Sequence, residues 1–181
     1  FGQGDYNVGN IWTRFGGRSE AHNTITINNA YEISQREDSF VPVTKWEEGE
    51  GGAYAVYDMK EVYAHHGTEK MDRGFYIGDN YESLRIRDEM SFSKTVTGYW
   101  HMHTEAEVFQ LDEHTMLLSK NGKNLILHAD YEAEGFKTEF SVSKARPLPE
   151  SPALEKDKQK STNINQIRIK FVGKGDINLT V

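Results

Sequence analysis

The sequence predicts an all-β fold, an antiparallel β-sandwich of jelly-roll-like topology with about eleven or more strands. Three observations carry that expectation. Apolar and polar residues alternate in many short segments, turn-forming residues punctuate them at close intervals, and no segment has the length and period of a crossover helix. The first alternating run, residues 24 to 28, sets Ile25 and Ile27 toward a core and Thr24 and Thr26 toward the opposite side. Further strands are expected at 40 to 45, 53 to 59, 72 to 78, 82 to 92, 96 to 104, 115 to 119, 123 to 130, 136 to 144, 163 to 172 and 176 to 181.

Turns are expected at Asn28-Asn29, Gly49-Glu50-Gly51-Gly52, Gly78-Asp79-Asn80, Asn121-Gly122 and Gly173-Lys174-Gly175. The hairpin around Asn121-Gly122 is the clearest, because both residues tolerate the positive φ of a two-residue turn. Three prolines in Arg146–Pro152 and the charged run Glu155–Ser161 read as a long exposed loop, either solvated or docking a partner.

Composition narrows the class. A chain of 181 residues suits a single β-sandwich domain, and 36% hydrophobic, 12% aromatic and 27% charged residues fit an ordered soluble one. With 21 Lys plus Arg against 28 Asp plus Glu, the net charge of -7 is a poor footprint for nucleic acid, so any polyanion must meet a local basic patch. No apolar run approaches the ~20 residues of a membrane span. The absence of cysteine removes disulfide and thiol chemistry. The chain begins without Met and stops in strand-like sequence, which reads as a piece of something larger.

Chemistry concentrates where the first strand leaves a glycine-rich basic loop, Arg14 to Asn23. Loops on the rim of a sheet are where sites tend to sit, and guanidinium groups such as Arg14 and Arg18 pair bidentately with carboxylate or sulfate. Histidine and carboxylate are the only strong metal ligands present. His22 with Glu37-Asp38 is one candidate set, and His65-His66 with Glu69 and Asp72 a second. His101 and His103, which share a strand face, form a third with Glu107 and with His114 or His128. That third set resembles half of a cupin metal motif, and it equally suits a half-exposed sheet face beside Trp100. His65 and His66 point to opposite faces if they lie in a strand, and a surface loop is the other reading.

Taken together, Arg18-x-x-Ala21-His22-Asn23-Thr24-Ile25, Leu84-Arg85-Ile86-Arg87-Asp88-Glu89, Trp100-His101-Met102-His103-Thr104 and a closing hairpin over 163–181 resemble the C-terminal β-sandwich domain of heparinase II/III-like polysaccharide lyases, a group with alginate-cleaving relatives. The resemblance spans nearly the whole chain. It implies a periplasmic or extracellular lyase in which this sandwich, inactive alone, forms one wall of a cleft for acidic polysaccharide. The other wall is an N-terminal α/α toroid of the same parent chain, and the reaction is β-elimination beside a neutralised uronate.

The resemblance also implies roles for single residues. His22 becomes the candidate catalytic residue, while Arg14, Arg18, Glu20 and Asn23 become candidate substrate-binding residues. Glu20 stands where some members carry a further catalytic His. A structural zinc is implied on His22, Asp38 and His66, although the position of the last ligand falls near Met71-Asp72. The alternatives are a cupin-like metal protein and a carbohydrate-binding module with Trp12, Trp46 or Tyr99 as sugar platforms.

Overall fold

A computed structural model describes residues 13–29, 34–36 and 38–181. Trp12 and Glu37 lie outside the described residues. Eleven strands follow in chain order: β1 (Ile25–Ile27), β2 (Val43–Gly49), β3 (Gly52–Asp58), β4 (Thr68–Gly78), β5 (Ser83–Thr104), β6 (Glu107–Gln110), β7 (Thr115–Lys120), β8 (Lys123–His128), β9 (Asp130–Glu132), β10 (Phe136–Lys144) and β11 (Asn165–Thr180). The one α-helix described, α1 (Lys60–Tyr63), is a single turn. The strands build an eight-stranded and a three-stranded sheet with antiparallel pairing, so the fold is all-β and sandwich-like.

The chain divides into two compact units. One comprises the described residues up to Gln35 with Thr97–Leu127 and Lys137–Val172. In it β1 pairs with the second half of β5, setting Ile25 opposite Trp100 and Ile27 opposite Gly98, and β6, β7 and β8 form the small sheet. Gly98 is required there: a Cβ would stand 2.1 Å from the Phe171 ring. Ile25, Ile27, Trp100, Met116, Ile167, Ile169 and Phe171 are buried in this unit. Thr26 is buried as well, contrary to simple alternation, because its hydroxyl donates to Ser19 Oγ at 3.1 Å beneath the preceding loop.

The other unit comprises Arg36–Val96, His128–Phe136 and Gly173–Val181. Here β2, β3, β4 and the first half of β5 form a meander, and β9 pairs with the end of β11. The β4–β5 register places Arg73 opposite Asp88. Both are buried, and the guanidinium binds the carboxylate through two bonds, Nε–Oδ1 at 2.6 Å and Nη2–Oδ2 at 2.9 Å. This pairing satisfies two charges that would each be costly alone. Tyr63, Met71, Met90, Phe92, Ile177 and Leu179 are among the buried apolar residues of this unit.

Four expectations are corrected. Ser83–Thr104 is one strand where two were expected, since Ser93, Lys94 and Thr95 are all exposed and interrupt the alternation without interrupting the extended backbone. The closing segment is likewise one strand, β11, rather than a hairpin. Gly173 serves close approach instead of reversal, because a Cβ there would lie 2.4 Å from the Gly135 carbonyl and 2.7 Å from the Phe136 ring. His65 and His66 lie in neither a strand nor an open loop but in the 3-10 turn Ala64–His66, with ring centroids 3.8 Å apart. Finally, the proline segment is not a solvated excursion: Leu148, Ser151 and Ala153 are buried. The turns at 50–51, 79–81 and 121–122 fall where expected, with Asn121 and Gly122 at φ 53° and 74°.

Candidate functional site: a braced polar rim

The loop before β1 contains two consecutive single turns, Phe15–Gly17 and Ser19–Ala21, followed by extended His22. Its residues alternate sharply in environment. Phe15, Arg18, Glu20 and Ala21 are buried, whereas Arg14, His22 and Asn23 are exposed. The loop therefore has an inner side that anchors it and an outer side that presents a cation, an imidazole and an amide.

The anchor is Glu20. Its carboxylate accepts from Arg18 Nε at 3.1 Å, Asn29 Nδ2 at 2.7 Å, the Leu148 backbone N–H at 2.8 Å and the Ser151 hydroxyl. Its backbone carbonyl accepts from Gln166 Nε2 at 2.8 Å. Arg18 completes the network by donating Nη2 to the Asn29 carbonyl at 3.0 Å and to Asn29 Oδ1 at 3.1 Å. A buried carboxylate with four donors is saturated, and the Arg18 guanidinium beside it is itself buried, so both groups face inward. Both were expected to bind substrate from sequence, but the fold turns them inward.

The proline segment supplies the brace. Besides the Leu148 and Ser151 contacts, Leu154 N–H donates to the Thr13 carbonyl at 2.9 Å, and Phe15 N–H donates to Gln159 Oε1 at 2.5 Å. Phe15, Ala21 and Ala145 form a small apolar cluster with Ile164 against it. Asn29, Leu148 and Ser151 are the partners that sequence reasoning missed. Prolines among small residues gave the only signal, and it was read as exposure.

On the outer side, His22 Nε2 lies 3.1 Å from the Gly16 carbonyl. A carbonyl only accepts, so Nε2 carries the proton and Nδ1 is the basic nitrogen of the neutral ring. Asn23 Oδ1 accepts twice from His103, from its backbone N–H at 2.8 Å and from Nδ1 at 3.2 Å. This fastens the rim to β5. Burial, and then the neighbouring His22, lowers the pKa of His103 to about 4.

Behind His103 on the same face of β5, His101 is fully buried, its ring 6.2 Å from that of His103 and 5.8 Å from that of Tyr99. Gln166 Nε2 donates to His101 Nδ1 at 3.2 Å, and burial, with His103 and Arg168 nearby, pushes its pKa well below the usual imidazole value. Tyr99 is also buried, with its phenol held protonated by burial and by a hydrogen bond to Glu150. It is no surface platform for a sugar. Trp46, by contrast, is exposed.

The predicted ligand sets do not gather. Asp38 is paired with Arg36 at 3.3 Å, and His66 is buried against His65; both belong to the second unit, whereas His22 belongs to the first. His101 is buried while Glu107 is exposed on β6, His114 sits in a turn where its N–H donates to Asp112, and His128 pairs with Asp130 at 3.3 Å. Among the described residues no three His, Asp or Glu side chains are arranged to hold a metal ion. No step below uses the zinc set of His22, Asp38 and His66. Among the described residues no helix is long and apolar enough to cross a membrane.

Comparison with known proteins supplies the context for this rim. A family model described as "Heparinase II/III-like, C-terminal" matches residues 1–180. No curated protein sequence matches the chain. Among solved structures, a heparinase III (the BT4657 gene product) superposes with a TM-score of 0.63 at 19% identity over 99% of this chain and 26% of its own. A heparan sulfate lyase HepC mutant from Pedobacter heparinus gives 0.65 at 12% identity over 99% of this chain and 27% of its own. The unsubstituted HepC gives 0.62 at 12% identity over 90% and 24%. These likenesses are of fold, and the chain spans only about a quarter of each solved chain.

Proposed function

The chain belongs to the heparinase II/III-like C-terminal family, and from that premise we propose that it is the accessory β-sandwich of a larger secreted or periplasmic polysaccharide lyase, forming one wall of a cleft for an acidic polysaccharide and inactive alone. The observation that carries the reading is the division of one loop into an anchored inner side, Arg18 and Glu20, and a presented outer side, Arg14, His22 and Asn23. A polyanionic sugar requires cationic and hydrogen-bonding groups held at fixed positions, since any ordering left until binding reduces affinity.

In this reading Arg14 neutralises a uronate or sulfate group. His22, through Nδ1, accepts a hydrogen bond or a proton from the sugar. Glu20, where some relatives carry a histidine, does neither; it fixes the backbone from which His22 projects. The proton transfers of β-elimination that this rim does not supply belong to the toroid expected elsewhere in the parent.

The test is the ultraviolet absorbance of unsaturated uronate ends, recorded for heparan sulfate, heparin, chondroitin sulfate and alginate with the 181-residue chain and with the longer protein. Product from the longer protein alone is expected. Product from neither would sink the lyase reading, and product from the short chain would overturn its inactivity alone.

A further inference from the structure

Independently of the polar rim, the second unit exposes a sheet edge whose sequence is complementary to itself. Strand β2 stands at the end of its sheet and pairs with β3, while among the described residues its other edge meets no strand. All seven of its residues are exposed, Val43 at 52% and Trp46 at 64% among them. Such an edge presents a row of backbone donors and acceptors to any strand that can align with it.

We propose that two copies of this chain associate through their β2 edges, antiparallel, about a two-fold axis at Trp46. A strand paired with itself antiparallel keeps facing side chains on one face only when the axis passes through a residue. Centring on Trp46 overlaps the whole strand and sets Trp46 against Trp46, Lys45 against Glu47 twice, Thr44 against Glu48 and Val43 against Gly49. Centring on Lys45 opposes two lysines. Centring on Glu47 or Glu48 opposes two glutamates, and centring on Thr44 shortens the overlap.

Opposite charges facing each other across strands stabilise a pair and like charges destabilise it, which selects the Trp46 register. The register irregularity of β2 falls between Val43 and Lys45, outside the Lys45–Glu47 segment at the centre of the contact. Within its own hairpin Glu47 faces Tyr54, and its carboxylate raises the Tyr54 pKa by accepting from the phenol. A single strand edge buries less than the ~1,000 Å² of a stable interface, so the dimer is weak and reversible.

Sedimentation velocity of the 181-residue chain over a concentration series tests this, with circular dichroism confirming that each variant is folded. The unsubstituted chain is expected to shift from monomer to dimer as concentration rises. Lys45→Glu alone and Glu47→Lys alone place like charges at both pairs and weaken association at least about tenfold. An equimolar mixture of the two substituted chains restores opposite charges at both pairs and recovers the dimer. A chain that stays monomeric throughout, single variants that associate as well as the unsubstituted chain, or a mixture that fails to recover association would each overturn the proposal.

Discussion

Glu20 shows how one residue can be legible in position and misread in role. Its place two residues before His22 marked it as part of a site, but side-chain identity does not say which way a loop residue turns. Its four donors come from Arg18, Asn29, Leu148 and Ser151, two of them more than a hundred residues away in sequence. Replacing it by Gln turns one acceptor oxygen into a donor facing donors, and about 3 kcal/mol of stability should be lost. Urea unfolding of the variant measures this; a midpoint unchanged from the unsubstituted chain would remove Glu20 as the anchor. Ionisation gives a second prediction at this scale. His103, with a pKa of about 4 in the fold against 6.5 for the free side chain, stays neutral where the unfolded chain takes up a proton. Stability associated with it is therefore fully present above pH 6.5, falls as the pH is lowered, and stops falling below about pH 4. Buried His101 acts in the same direction. Stability measured at pH 7 and pH 5 should differ less in His103→Gln than in the unsubstituted chain, and equal differences would contradict the assignment.

At the scale of elements, what the sequence reveals depends on whether the reason for a structure is local. Asn121-Gly122 makes its turn from its own φ preferences, and the hairpin it joins was readable without the rest of the chain. Gly173 looked like a turn for the same reason, but its conformation answers Gly135 and Phe136, which no local pattern reveals. The unbroken β5 was hidden by three consecutive exposed residues, and the buried proline segment by its polar composition. Arg14 and Arg18 are equivalent by sequence and differ in the fold, where Arg18 pairs with Asn29 and with Glu20, a carboxylate itself held by the remote Leu148 and Ser151. Gly98 tests the packing of the first unit. A Cβ there would meet the Phe171 ring at 2.1 Å, and Gly98→Ala should cost about 1 to 3 kcal/mol through overpacking. Thermal unfolding reports it, and a melting temperature equal to that of the unsubstituted chain would mean that β5 and β11 are not packed as described.

For the molecule as a whole, the family was readable from ordered motifs spread along the chain, whereas the sides of the loop were not: Arg14, His22 and Asn23 are exposed, and Arg18 and Glu20 are buried. The two arginines give the proposed reading a direct measurement, steady-state formation of unsaturated uronate ends by the parent lyase proposed above, from whichever of the four polysaccharides it cleaves, with Arg14→Ala or Arg18→Ala, read beside the unfolding midpoint of each variant. Arg14→Ala, which removes the exposed cation assigned to the substrate in the proposed reading, should raise KM about tenfold and leave stability within about 0.5 kcal/mol. Arg18→Ala should lower stability by about 3 kcal/mol, because it strips a buried carboxylate of its guanidinium. An unchanged KM for Arg14→Ala, or an Arg18→Ala protein that is fully stable but binds substrate poorly, would contradict the division of the loop into a presented side and an anchored one.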